Sequence, residues 1–324
     1  MAGRRVGVIG SFVWDIIHGR DPMQHPVEEW GGITYALGAF DASLGDDWQV
    51  VPMVKVGYDL APQARKFTAG LRRVAADAGP IEVPHPNNRV TLHYQSAERR
   101  CEHLTGGVPG WNWLGLKPLL AGVDALYINL ISGFELDLET AQLIRAHFHG
   151  PIYCDLHSLL LAVQPDGART LQPLPNPAAW CRCFDIIQVN EDEMQMMAAD
   201  PLALAAIAMG AGVSVLNVTM GARGVAYFAA PGFDTLADLN RDSLGTSSGA
   251  VRTALHPAAP TRDLGGGDPT GCGDVWGATY FSRMLAGDTL EAAMRAASAA
   301  AARNVDHRGA TGLAQHLRGE LSIR

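Results

Sequence analysis

The chain has 324 residues, enough for one large α/β domain or two small ones, a formal net charge of -8 and a hydrophobic fraction of 48% that can fill a substantial core. Its basic residues are dispersed, with no run longer than pairs such as Arg72-Arg73 and Arg99-Arg100, which argues against a nucleic-acid partner. No apolar run approaches the ~20 residues of a membrane span, and Met1-Ala-Gly-Arg-Arg5 leads into a strand-like run rather than a signal peptide, so a soluble cytoplasmic protein without a membrane partner is expected.

The first predicted element is the β-branched run at residues 5–10, which suits a buried strand of a parallel sheet. Residues 14–30, and then 89–95 with 99–104, read as half-exposed strands and hairpins of a small β flap. Apolar runs at 124–129, 151–155, 185–190 and 213–219 each end at a polar residue, with helical segments at 138–148 and 201–209 between them. That alternation is the mark of a doubly wound sheet, whose ligands bind beyond the carboxyl ends of the strands, so Asn190 and Thr219 stand out by position. Residues 230–262 suit strands joined by long turns, and helices are expected at 275–286 and, alanine-rich, at 289–305. The expected architecture is therefore a single three-layer, mostly parallel α/β domain over residues 1–324, with a small β lid from about 12–32 and 88–105.

The strongest chemical signal is Gly265-Gly-Gly-Asp-Pro-Thr-Gly-Cys-Gly-Asp274, followed at once by a helix. Glycines let backbone N–H groups approach a phosphate, and a helix N-terminus aims its dipole at the same place. An aspartate at the rim of such a hole can take a hydroxyl proton during phosphoryl transfer. By residue preference alone, the segment reads equally as a tight turn before a helix that Asp274 caps. It lacks the spacing of a P-loop, and residues 6–15 lack a dinucleotide fingerprint. The five cysteines are odd in number and irregularly spaced, which suits free thiols and not a disulfide framework or a zinc site.

Asp268-Pro-Thr-Gly-Cys-Gly-Asp274 resembles the Asp-Thr-x-Gly-Ala-Gly-Asp signature of the ribokinase-like (PfkB) carbohydrate kinases. The resemblance implies that Asp274 is the catalytic base and that the amides of Gly271, Cys272 and Gly273 form the anion hole. Asn190-Glu-Asp-Glu193 is similar to the family's Asn-x-x-Glu motif, with Asn190 and Glu193 holding Mg²⁺ through water. Thr219-Met-Gly-Ala-Arg-Gly224 resembles the turn beside the nucleotide, implying roles for Thr219, Gly221 and Gly224, and Ser298 on the last long helix would lie near adenine. Gly10-x-x-x-x-Asp15 and Gly31-Gly32 resemble the sugar-binding elements, so Asp15, Gly31 and Gly32 are the expected substrate residues.

Cys272 stands where the family usually has alanine, and on the substrate side the match departs at Ala36, where the family has asparagine, which removes a polar substrate contact. Phe12, Trp14, Trp30 and Tyr35 could line a wall against a base or sugar, although core packing is the commoner fate of such residues. The expected function is an ATP-dependent kinase acting on a hydroxyl of a sugar or sugar-containing small molecule. A nucleoside kinase of the same fold and a non-catalytic binding protein are the alternatives. ATP and Mg²⁺ are the implied cofactors, with room for a monovalent cation effect, and a homodimer through the lid is a further expectation.

Overall fold

The computed structural model describes residues 3–18, 25–94, 100–236, 238–241, 244, 249–261 and 267–320. Gly265 and Gly266 of the glycine-rich segment, and residues 19–24 and 95–99 of the expected flap, lie outside the described residues. In chain order the first elements are β1 (Arg4–His18), β2 (Val27–Gly32), α1 (Ile33–Ser43), β3 (Trp48–Gly57), α2 (Ala61–Ala69), β4 (Ile81–Val83), β5 (Asn88–Tyr94) and β6 (Arg100–Thr105). Next come α3 (Trp113–Leu120), β7 (Ala125–Asn129), α4 (Leu138–His147), β8 (Ile152–Asp155), β9 (Leu161–Val163), β10 (Arg169–Leu171), α5 (Pro177–Cys181), β11 (Ile186–Asn190), α6 (Glu191–Met197) and α7 (Pro201–Gly210). The chain closes with β12 (Val215–Thr219), β13 (Val225–Ala229), β14 (Arg252–His256), α8 (Cys272–Leu285), α9 (Leu290–Asn304) and α10 (Leu313–Arg318).

The main sheet runs β14-β13-β12-β11-β8-β7-β1-β3-β4. It is parallel except where β13 and β14 turn back antiparallel at one edge. Both faces are covered, as the near-continuous apolar character of the central strands requires. Val8, Phe40, Tyr127 and Phe281 belong to the core on one face, while Ile128, Ile144, Ile187 and Leu204 belong to the core on the other. Helix starts follow local chemistry: Asp137 and Asp200 accept hydrogen bonds from Thr140 and Ala203 N–H, respectively, and Pro201 occupies the first helical turn.

β1 serves two sheets' worth of partners. Its first half pairs with β3 and β7, and its second half continues without a break to pair with β2 on one side and β5 on the other. Trp14 therefore lies inside one long strand rather than at the start of a separate hairpin. β6 pairs antiparallel with β5 and completes the extension. A small apolar cluster of Val13, Val90, Leu92, Leu104 and Ile131 packs beneath it.

β3 is absent from the sequence expectations because Pro52 interrupts its apolar run, and proline argues against a central strand. The structure tolerates it since β4 pairs with β3 only over Lys55–Gly57, so the missing N–H at Pro52 breaks no ladder on that side. The β9–β10 hairpin is likewise unanticipated, its strands being only three residues long.

Candidate active site

Register along the parallel strands places the polar strand ends side by side. Asn129 of β7 is level with Asp155 of β8, Asp155 with Gln188 of β11, and Asn190 of β11 with Thr219 of β12. The N-terminus of α8 and the loop before it close over this edge. Between them lies a cavity of about 250 Å³ whose walls include Asp15, Asp155, Glu193, Thr219, Gly271 and Asp274.

Asp274 sits in the first turn of α8, but it does not cap the helix: the N-cap is Gly271, at φ 76°, with no side-chain cap bond. The carboxylate instead accepts a 2.6 Å hydrogen bond from Asn129 Nδ2, which orients it at the cavity. Gly271 is required twice over, by its left-handed backbone and because a Cβ there would stand 2.3 Å from the Tyr35 ring. Burial, reinforced by the charges of Asp15, Asp268 and Asp274, raises the pKa of Tyr35, so its hydroxyl stays protonated.

The three amides expected to form the hole are not equivalent. Cys272 N–H donates to the Pro269 carbonyl at 3.1 Å, while those of Gly271 and Gly273 donate to no described residue. The Cys272 thiol donates to Ala301 O at 3.4 Å and accepts from Asn304 Nδ2 at 3.3 Å, and burial pushes its pKa up to about 11. It is a protonated packing group.

Asn190 and Glu193 form a capping box at the start of α6: Asn190 Oδ1 accepts from Glu193 N–H, and Glu193 accepts from Asn190 N–H at 2.8 Å. Asn190 Nδ2 and His157 Nδ1 both lie against Glu193 Oε1, at 2.6 and 2.9 Å. The carboxylate is thus fixed by three partners at the cavity wall and keeps lone-pair capacity for water. Among the described residues, no group of three or more His, Cys, Asp or Glu side chains could hold a metal ion directly. Outer-sphere binding of a hydrated cation by Asn190 and Glu193 is the mode these residues fit.

Asn129, Asp155, His157 and Gln188 were not singled out as site residues by sequence. Their one signal was position: 129 and 155 end apolar runs, and 188 lies two residues before Asn190. Gln188 is a junction, accepting from Tyr153 Oη at 2.5 Å and donating through Nε2 to Asp155 Oδ2 at 2.7 Å and to the Gly273 carbonyl at 3.2 Å. Burial drives the Asp155 carboxyl well above the usual range; His157 opposes this, and Glu193 and Asp274 add to it. Burial works against the charged form of His157, but the hydrogen bond it donates to Glu193 and the carboxylates of Glu193, Asp155 and Asp274 outweigh it and lift its pKa to about 9. His157 also has φ 21°, uncommon for a residue with a Cβ, and local strain of this kind concentrates at functional sites.

On the lid side, Asp15 is only 7% exposed and lines the cavity with Gly32. Gly31 lies behind it: a Cβ at 31 would stand 1.9 Å from Asp15 Oδ2, so the first carbon of any side chain would displace the carboxylate. Phe12 and Trp30 are buried and stack edge-on with each other, and Trp14 packs on Trp30 and donates its indole N–H to Glu28 at 2.9 Å. These three do not line the cavity beside Asp15. Of the proposed aromatic wall, Tyr35 alone does so among the described residues.

On the other side of the α8 N-terminus a second cavity of about 470 Å³ is walled by Gly221, Gly224, Cys272, Trp276 and Ser298, and Pro269 borders both cavities. Gly221 and Gly224 take φ 56° and 97° in the turn after β12. Thr219, at the end of β12, faces the first cavity instead. Ser298 Oγ accepts a 3.3 Å hydrogen bond from Trp276 Nε1.

Residues 158–316 match the family model of the pfkB family carbohydrate kinases, a stretch that holds the Asn190, Thr219, Asp274 and Ser298 elements. No curated protein matches the sequence. Among solved structures, a pyrophosphate-dependent kinase of the ribokinase family, complexed with a pyrophosphate analog and myo-inositol, is 15% identical with a TM-score of 0.70, over 94% of this chain and 96% of its own. Arabidopsis thaliana ribokinase, complexed with ribose and ATP, is 15% identical with a TM-score of 0.65, over 98% and 99%. The Methanocaldococcus jannaschii nucleoside kinase is 14% identical with a TM-score of 0.65, over 98% of each chain. At these identities the likeness establishes the fold. Among the described residues no helix is long and apolar enough to cross a membrane. Residues 158–316 are thus similar to the pfkB family carbohydrate kinases, and the chain has the ribokinase-like α/β architecture.

Proposed function

We propose that the protein transfers the γ-phosphoryl group of ATP to a hydroxyl of a sugar or sugar-containing small molecule. The observation that carries the choice of donor is the second cavity. It adjoins the α8 N-terminus, is bounded largely by Ala, Gly, Pro and Val residues with Trp276, and has the volume for a nucleoside. Pyrophosphate would leave such a cavity without a role. Solved structures of the same fold include a pyrophosphate-dependent kinase and a ribokinase complexed with ATP, so the distinction is a real one.

In this reading the acceptor hydroxyl lies between Asp15 and Asp274. Asp274, oriented by Asn129, takes the hydroxyl proton as the oxygen attacks phosphorus. The N–H groups of Gly271 and Gly273, with the dipole of α8, stabilise charge on the transferred group. Gln188 holds the Gly273 carbonyl and so fixes the loop. Asn190 and Glu193 would bind hydrated Mg²⁺, which neutralises phosphate charge when present. Thr219, Gly221 and Gly224 border the phosphate-to-nucleoside path, and Ser298 lies in the nucleoside cavity wall.

Donor consumption with ATP and with pyrophosphate, each measured across ribose, fructose, myo-inositol, adenosine and cytidine, tests this reading. Acceptor-dependent ATP consumption supports it. Turnover with pyrophosphate alone would assign a different donor.

A further inference from the structure

The acceptor end of the first cavity contains a charged pair that no motif announces. Register places Asp15, Leu92 and Glu102 on one face of the lid, since Ile17 pairs with Leu92 and Leu92 with Glu102, and side chains two residues apart share a face. Arg169 comes from a different element, the β9–β10 hairpin, and its Nη1 lies 3.4 Å from Glu102 Oε2, with side-chain exposures of 3% and 17% for Arg169 and Glu102. The hairpin is locked to the lid strand: Leu104 N–H donates to Gly167 O at 2.8 Å, and His103 bridges Ala168. Gly167 permits that contact, having φ 89° and a virtual Cβ only 2.8 Å from Leu104 O. Arg169 Nη2 also donates to the Ile131 carbonyl at 3.1 Å, which holds the guanidinium at the cavity wall. Both side chains line the same cavity as Asp15 and Asp274.

We propose that the Glu102–Arg169 pair is a specificity-determining element that reads hydroxyls of the acceptor, and that the acceptor is a compact neutral polyol with a second hydroxyl group or pair beyond the one held by Asp15. The proposal rests on the kinase reading above. A hydroxyl both donates and accepts, and a carboxylate beside a guanidinium supplies the complementary acceptor and donor. An anionic acceptor would meet Asp15, Glu102 and Asp274 against one guanidinium. The aliphatic walls of Val13, Val90 and Leu92 suit the C–H face of a saturated ring.

The test compares wild type with Glu102→Gln and Arg169→Met on the five acceptors named above, then on deoxy analogues of the best one. Glu102→Gln preserves shape, so it serves even if Arg169→Met fails to fold. The expected result is that a polyol is the best acceptor, and that loss of one particular hydroxyl raises its KM at least about tenfold in wild type but hardly at all in Glu102→Gln, with the donor KM unchanged. An equal penalty in wild type and variant for every deoxy analogue would make the pair a structural brace and overturn the proposal. A nucleoside as the only accepted substrate would overturn it while leaving the kinase reading intact. No acceptor-dependent consumption of either donor would remove both.

Discussion

The proposed phosphoryl-transfer edge and the proposed acceptor side of this protein are built by different means. The first is made of backbone: a left-handed glycine, the N–H groups at the start of α8, and strand ends held in register. The second is made of side chains from β1, β6 and β10, which lie far apart in sequence: β5 pairs with both β1 and β6, and Arg169 of β10 reaches Glu102 of β6. Anion binding by backbone demands particular short sequences, whereas a pocket of side chains can be assembled from many. The contrast suggests that substitutions at the first region should act on the chemical step and those at the second on acceptor affinity.

The largest effect is expected at Asp274. Asp274→Asn keeps the shape and the contact region of Asn129 but cannot take a proton, so kcat should fall by ~10²–10⁴ while donor binding persists. Retention of more than half the wild-type kcat would show that another group, with Asp155 the first to examine, removes the proton.

Two glycines sharpen the contrast between the regions. Gly271→Ala forces a Cβ into the Tyr35 ring and penalises φ 76°, so it should reduce kcat by at least about tenfold. Gly31→Ala would press on Asp15 and should raise the acceptor KM while sparing the donor KM. At Gly273, by contrast, the nearest atom to a virtual Cβ is Gln188 Nε2 at 3.7 Å, so crowding by the protein itself is confined to 271, and Gly273→Ala reports only on space needed by the phosphate. If Gly31→Ala altered kcat and Gly271→Ala altered only the acceptor KM, the division proposed between the two regions would be reversed.

This difference in construction also explains what the sequence could disclose. The alternating runs announced the parallel sheet, because buried parallel strands are uniformly apolar and end at polar residues on one edge. The Asp268–Asp274 segment, Asn190, Glu193 and Thr219 were legible since each motif is local. Asn129 and Gln188 were not, because their roles come from lying level with β8 and α8, a fact of register. Arg169 was hidden further: nothing in Ala168-Arg169-Thr170 indicates that β10 docks on a lid strand 67 residues earlier. The aromatic residues misled in the opposite direction, since Trp14 and Trp30 satisfy each other on the far side of β1.

Gln188 ties the end of β8 to the start of α8, and its replacement should have an intermediate effect. Gln188→Met keeps length and removes the polar end, leaving Asp155 Oδ2 and the Gly273 carbonyl without their donor and Tyr153 Oη without its acceptor. Each buried group left unsatisfied costs about 1–3 kcal/mol, so chemical denaturation should register a loss of stability. Release of the Gly273 carbonyl should also lower kcat by about tenfold. A variant that is less stable but fully active would show that Gln188 supports the fold without positioning the loop.

The smallest effect is expected in the second cavity, the one proposed for the nucleoside of the donor. Ser298 is buried there, and its oxygen accepts the indole N–H of Trp276, which holds the hydroxyl against the tryptophan. The cavity wall around it is formed by Ala301, Ala302 and Val305, which contribute contact area without base-specific hydrogen bonds. Ser298→Ala should therefore change the donor KM by no more than about threefold, within the ~1 kcal/mol of an ordinary neutral hydrogen bond. It should alter Trp276 fluorescence because the indole loses its partner. A rise in donor KM above about thirtyfold, equivalent to ~2 kcal/mol, with ATP affected and pyrophosphate not, would instead assign Ser298 a direct contact with the base. That outcome would make the donor region, like the acceptor region, dependent on a side chain for its selectivity.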